Sequence, residues 1–184
     1  MERRGRIVAA VAVAGVAAVA ASGADAGGIS LYEVGTADVW NNWLDHPELA
    51  AASDFIGAHV LPYWEGIGSY DAVGHILYWR GVMSEAYPDK PVVIAEAGWP
   101  SEGRVKQNSV PSPARAAHFL RNFLAAAEEQ GLDYYVMEAY DQPWKEDQEG
   151  AVGAFWGMFD AARVPKFSLT GDLSTFPQWP VYAS

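Results

Sequence analysis

With 184 residues, 51% of them hydrophobic and 19% charged, the chain is long enough for one buried core and too apolar for disorder. Its formal net charge of −11 at pH 7 argues against nucleic acid or an anionic membrane surface as an electrostatic partner, and is indifferent to a neutral polymer. The absence of cysteine excludes a disulfide framework and a thiolate zinc site.

In chain order, Arg3, Arg4 and Arg6 precede the apolar run 7–21, and Ala24-Asp25-Ala26 offers a small-x-small cleavage site. Residues 1–26 therefore read as a signal-peptide-like leader, which predicts export: a secreted, periplasmic or membrane-associated protein. Low-complexity Ala/Val sequence is the alternative for this leader. The remainder, 29–184, reads as one domain. A weak strand is expected over 29–34, then a helical stretch over 37–52 divided at Pro47. The run Phe55-Ile-Gly-Ala-His59-Val-Leu61 predicts a strand ended by Pro62. Val73, Ile76, Met83 and Tyr87 have helical spacing, with Asp71 as N-cap and Pro88 as the stop. Pro91-Val-Val-Ile-Ala-Glu96 predicts a strand apolar enough to be covered on both faces. The clearest helix follows: Ser112 is its N-cap, Pro113 its first residue, and Gly131 lies just past its end. Its apolar stripe is Ala116, Leu120, Phe123, Leu124 and Ala127. A strand over 134–137 precedes a Gly- and aromatic-rich tail. Strand starts near 55, 92 and 134 have the spacing of βαβ units, so the fold class is α/β with a parallel sheet.

The three strong strands end alike. The first gives Pro62-Tyr63-Trp64-Glu65, the second Glu96-Ala-Gly-Trp99, and the third Glu138-Ala-Tyr140-Asp141-Gln142-Pro143-Trp144-Lys145. In a parallel barrel such ends converge on one face, where the chemistry sits. Aromatic rings pack on the C–H faces of sugars, and glycosidic bond cleavage needs two carboxyl groups. The combination points to carbohydrate chemistry. Each residue also has a structural reading. Glu138 is either a substrate contact or an acid paired with Lys145 or Arg104. Glu65 reads as a solvated loop acid, Trp40 and Trp43 as core, and His59 as a hydrogen-bonded core histidine. His46, His75 and His118 are scattered, and no phosphate loop or nucleophile elbow occurs, so no metal and no cofactor are expected.

Ile94-Ala-Glu96-Ala-Gly-Trp99-Pro-Ser101 resembles the nucleophile signature of glycoside hydrolase family 17, the β-1,3-glucanases. The resemblance continues through His59-Val-Leu-Pro62-Tyr63-Trp64-Glu65-Gly66, Tyr140-Asp141-Gln142-Pro143-Trp144-Lys145 and Gly153-Ala-Phe-Trp156-Gly157-Met-Phe159-Asp160, and is nearest the bacterial branch of the family. It covers roughly 36–171. It implies a TIM-barrel fold, a retaining mechanism on β-1,3-glucan (hydrolysis or transglucosylation), and Glu96 as nucleophile. Tyr63, Trp64, Trp99, Glu138, Tyr140, Asp141, Trp144 and Lys145 would then contact or shape the sugar subsites.

One departure qualifies it. The family's general acid/base is the Glu of an Asn-Glu motif ending the fourth barrel strand, and this sequence contains no Asn-Glu dipeptide. The strands legible here correspond to the fifth to eighth, the last four βα units. A full barrel takes about 250 residues. The expectation is half a barrel without its acid/base: a truncated reading frame, two copies closing one barrel, or a remnant that binds glucan without cutting it.

Overall fold

The computed structural model describes residues 21–24 and 30–171. Most of the expected leader, with Asp25 and Ala26 of its cleavage site, lies outside the described residues, as do Ile29 and the tail 172–184. The elements in order are β1 (Ala21–Ala24), β2 (Ser30–Glu33), β3 (Ala37–Val39), α1 (Trp40–Asp45), α2 (Pro47–Ala51), β4 (Ile56–His59), α3 (Ala72–Ala86), β5 (Val92–Ala97), α4 (Pro113–Gln130) and β6 (Tyr134–Val136). Two 3-10 turns, Pro143–Lys145 and Ala151–Phe155, flank the short α5 (Glu146–Glu149). Strands β3, β4, β5 and β6 form one four-stranded parallel sheet in that order, while β1 and β2 make a separate antiparallel pair. The α/β class and parallel βα repeat follow the expectation.

Two expectations need correction. The parallel sheet's first strand is Ala37–Val39, read from sequence as the start of a helix; the strand expected over 29–34 forms as Ser30–Glu33 but lies in the separate antiparallel pair. Three residues are too few to show a period of two, and pairing to β4 decides their conformation. Gly57 permits that pairing: a Cβ there would stand 2.5 Å from the Thr36 carbonyl oxygen. The helix begins only at Trp40, and Pro47 opens the next one as N1, the position its missing N–H suits. The second correction concerns β5. Val92, Ile94 and Ala97 are buried, but Val93 and Ala95 are half-buried. Among the described residues, helices cover the side carrying Val92 and Ile94 more fully than the other.

The strongest sequence signals are met. The Ser112 Oγ accepts the Arg115 amide, Pro113 is the first helical residue, and Gly131 closes α4 in the left-handed region at φ 61°. The α4 stripe buries Ala116, Leu120, Phe123 and Ala127, and Phe119 extends it; Leu124 is half-buried. Asp71 sits at the N-cap of α3 but its side chain makes no cap hydrogen bond. The core between sheet and helices is built from Ile56, Ala58, Ile76, Met83, Ile94 and Phe123, with Trp43 donating its indole N–H to the Gly57 carbonyl.

Candidate active site at the carboxyl ends of the strands

The carboxyl ends of β4, β5 and β6 open on a cleft of about 340 Å³. Its walls include His59, Leu61, Trp64, Glu96, Trp144 and Glu149. Glu96 is the penultimate residue of β5 and its side chain is only 18% exposed. Burial raises its carboxyl to about 7; Glu149 and Glu138 add to the rise, while the Lys145 ammonium opposes it. On the neighbouring strand, His59 brings Nδ1 to 3.4 Å from Glu96 Oε2. Burial lowers the His59 imidazole below its ordinary value, against the pull of Asp38. His59 is therefore a half-buried wall of the cleft, where the sequence suggested a core histidine.

The rest of the Glu96 motif builds the turn. Gly98 is required by packing: a Cβ would lie 2.2 Å from the Met137 carbonyl oxygen. Trp99 is 3% exposed and donates to the Val110 carbonyl, and Ser101 donates both its amide and its hydroxyl to the Phe155 carbonyl. Tyr63 is fully buried, its hydroxyl donating to the Arg104 carbonyl at 2.7 Å and its ring edge-on to Trp64, Trp99 and Trp156. Tyr63 and Trp99 thus lie beneath the cleft rather than on its wall.

After β6 the chain carries a buried polar chain. Lys145 and Glu138, 4% and 1% exposed, form an ion pair at 2.7 Å. Gln142 donates its amide to the same Glu138 oxygen, and Trp144 donates its indole N–H to Gln142 Oε1. Burial raises the Glu138 carboxyl, while Lys145 and Gln142 counter the rise. The pairing with Lys145, one of the two partners weighed from sequence, is the one formed. Trp144 is 48% exposed, so the same chain presents an aromatic face at the cleft. Tyr140 and Asp141 do not reach it. Tyr140 packs on Phe159, and Asp141 accepts the Gly157 amide and the Lys166 ammonium.

Of the anticipated residues, Glu96, Trp64, Trp144 and Lys145 line one cleft, with Glu138 directly behind Lys145. His59, Leu61 and Glu149 join them without having been anticipated. The signal for Leu61 and His59 lay in their position at the end of the same strand run; Glu149 ends the four-residue helix α5, which is too short to show a periodicity. Glu65 is also more engaged than a solvated acid, accepting from the Trp40 indole at 3.0 Å and lying 2.9 Å from His75 Nε2. Among the described residues no group of three His, Asp or Glu could hold a metal ion.

A family model described as the BtgE/BtgC glycoside hydrolase domain matches residues 3–157. The chain is 30% identical over 163 residues to a glucan 1,3-beta-glucosidase of Saccharomyces cerevisiae, covering 83% of this chain and 52% of that protein. Among solved structures, a glycoside hydrolase family 17 beta-1,3-glucanosyltransferase from Rhizomucor miehei superposes with a TM-score of 0.68 at 28% identity, over 76% of this chain and 51% of that one. An active-site mutant of that enzyme, in complex with laminaritriose, superposes with a TM-score of 0.67. The chain spans about half the length of the yeast relative and of the solved enzyme. With a parallel α/β sheet of the TIM-barrel type and Glu96 at a strand end, the chain belongs to the BtgE/BtgC glycoside hydrolase domains of the family 17 β-1,3-glucanase type.

Proposed function

We propose that this domain acts on β-1,3-glucan as a retaining glycoside hydrolase or transglucosylase with Glu96 as its nucleophile. The observation that carries the proposal is a strand-end carboxylate opening onto a cleft between the aromatic side chains Trp64 and Trp144. The two indoles are suited to the C–H faces of successive sugars. A Glu96 oxygen attacks the anomeric carbon as the glycosidic C–O bond breaks, and the leaving oxygen takes a proton from a second carboxyl group. Water or another sugar hydroxyl then displaces Glu96. The relatives' names specify 1,3-beta-glucan and a laminaritriose complex, which supports this substrate class.

The second carboxyl of a retaining pair stands about 5–5.5 Å from the first. Glu138 is buried against Lys145 and is unsuited to protonate a leaving group. With no Asn-Glu dipeptide in the sequence, we assign the acid/base to a carboxyl that this chain does not itself carry, on an N-terminal half-barrel. Export belongs to the same proposal. It rests on the arginines and Ala/Val run of the leader, and N-terminal sequencing of protein recovered outside the cytoplasm, beginning after Ala26, would bear it out. Among the described residues no helix is long and apolar enough to cross a membrane.

A second reading is a module that binds glucan without cutting it, favoured by the same missing motif beside surviving aromatic walls. Titration of a β-1,3-glucan oligosaccharide against tryptophan fluorescence, with reducing-sugar release in parallel, separates the two. Release that disappears in Glu96→Gln supports catalysis. Saturable binding without release supports the module, and no binding at all overturns both.

A further inference from the structure

The cleft places an imidazole against the proposed nucleophile, and that pairing rests on a local irregularity of the sheet. In the parallel pairing of β4 with β5, Ile56 faces Val92, Gly57 faces Val93 and Ala58 faces Ile94. Continuing that register would set His59 opposite Ala95. Instead the register shifts between Ala58 and His59, and His59 pairs with Glu96. Register shifts of this kind re-aim side chains and recur beside active sites. The Val60 amide then donates to the Glu96 carbonyl at 3.0 Å, tying the two strand ends together just above the pair.

We propose, building on the reading of Glu96 as nucleophile, that His59 is a positioning residue: its Nδ1–H holds Glu96 Oε2 from the adjacent strand and fixes the carboxylate's orientation in the cleft. At 3.4 Å the contact lies just beyond the usual N–H···O range of about 2.7–3.2 Å, and hydrogen bonds in active sites are often long before substrate binds. A neutral imidazole carries one N–H and one acceptor nitrogen, and a carboxylate only accepts, so the pairing selects the Nδ1-protonated tautomer. Burial favours the neutral imidazole. Asp38, next along the sheet, pulls the other way, although its Oδ1 is engaged by the Val39 amide and the Asn42 side chain. The charged groups facing Glu96 from the remaining elements are Lys145 on the first 3-10 turn, Glu149 on α5 and Glu138 after β6. Lys145 is committed to Glu138 at 2.7 Å, leaving His59 as the donor on the β4 side.

The test reads the Glu96 carboxyl itself. Carbon-13 NMR titration of Glu96 in the full chain is compared for wild type, His59→Ala and His59→Asn. Losing a donor to the charged form raises the Glu96 midpoint, by about tenfold in its acid constant. In His59→Asn the introduced amide nitrogen falls near the position of imidazole Nδ1, so that variant returns the midpoint close to wild type. A residue that only fills space predicts the reverse: truncation admits water and lowers the midpoint. A lowered or unchanged midpoint in His59→Ala overturns the proposal. Nitrogen-15 NMR of wild-type His59 at pH 8 gives a reading that needs no variant: a protonated Nδ1 supports it, and an unprotonated Nδ1 overturns it. None of these readouts needs glucan. If glucan binding and turnover fail while the midpoint still moves as stated, the substrate assignment falls and the positioning role stands.

Discussion

Glu96 is held by its surroundings in a state that opposes its use. Its carboxyl sits at about 7 against 4.5 for the free group, and a nucleophile must be ionised. Because the folded state binds this proton more tightly than the unfolded state, the associated stability is present below about pH 4.5 and is lost as pH rises through about 7. The difference corresponds to roughly 3 kcal/mol. Glu96→Gln is therefore expected to raise the melting temperature more at pH 8 than at pH 5, which thermal unfolding followed by circular dichroism checks. Where turnover is measurable, kcat/KM should fall as pH drops below about 7. Lys145 is the group that pulls Glu96 toward ionisation, and it is also the sole cation on buried Glu138 among the described residues. Lys145→Met is thus expected to move the Glu96 midpoint above 7 and to cost about 3–5 kcal/mol by stranding a buried carboxylate, read by urea unfolding.

At the scale of elements, the turn after β5 depends on Gly98. Gly98→Ala would drive a methyl group into the Met137 carbonyl, and a loss of about 3 kcal/mol in chemical denaturation is expected, with the cleft distorted even in protein that folds. By contrast, Ser112→Ala removes one cap hydrogen bond from α4 and should cost about 1 kcal/mol without altering the cleft. These two elements also mark what was legible in the chain. The ends of α4 could be read because Ser, Pro and Gly act there through local backbone chemistry. The Glu96 motif could be read because consecutive positions are constrained at once, most of them by packing. Ala37–Val39 was not legible, since its strand conformation comes from a partner twenty residues away. His59 was misread for a related reason: which face of a strand a residue joins depends on a register shift that leaves no mark in composition. Tyr63 and Trp99 were grouped with the site from sequence, yet aromaticity alone does not separate the layer beneath a cleft from its wall.

As a whole, the described chain is a run of parallel βα units whose strand ends meet on one face, the arrangement that lets residues distant in sequence share a site. Beyond β6, residues 138–141 are hydrogen-bonded to residues 156–159, so that side of the sheet is partly covered. Strand β3 has a neighbour on one side only among the described residues. Such an edge favours pairing with another chain. Sedimentation of the purified protein is expected to show a species heavier than one chain, and a strictly monomeric solution would contradict pairing through β3. The role of Glu96 can be tested without the acid/base. An activated 2-deoxy-2-fluoro-β-1,3-glucosyl donor with a dinitrophenolate leaving group departs without a proton, so only the nucleophile is required. Intact-mass spectrometry after incubation at pH 8 should show the chain heavier by one glycosyl unit, with the label on the peptide bearing Glu96 and absent in Glu96→Gln. An unmodified chain, or a label carried elsewhere, would contradict the assignment of Glu96 as the nucleophile.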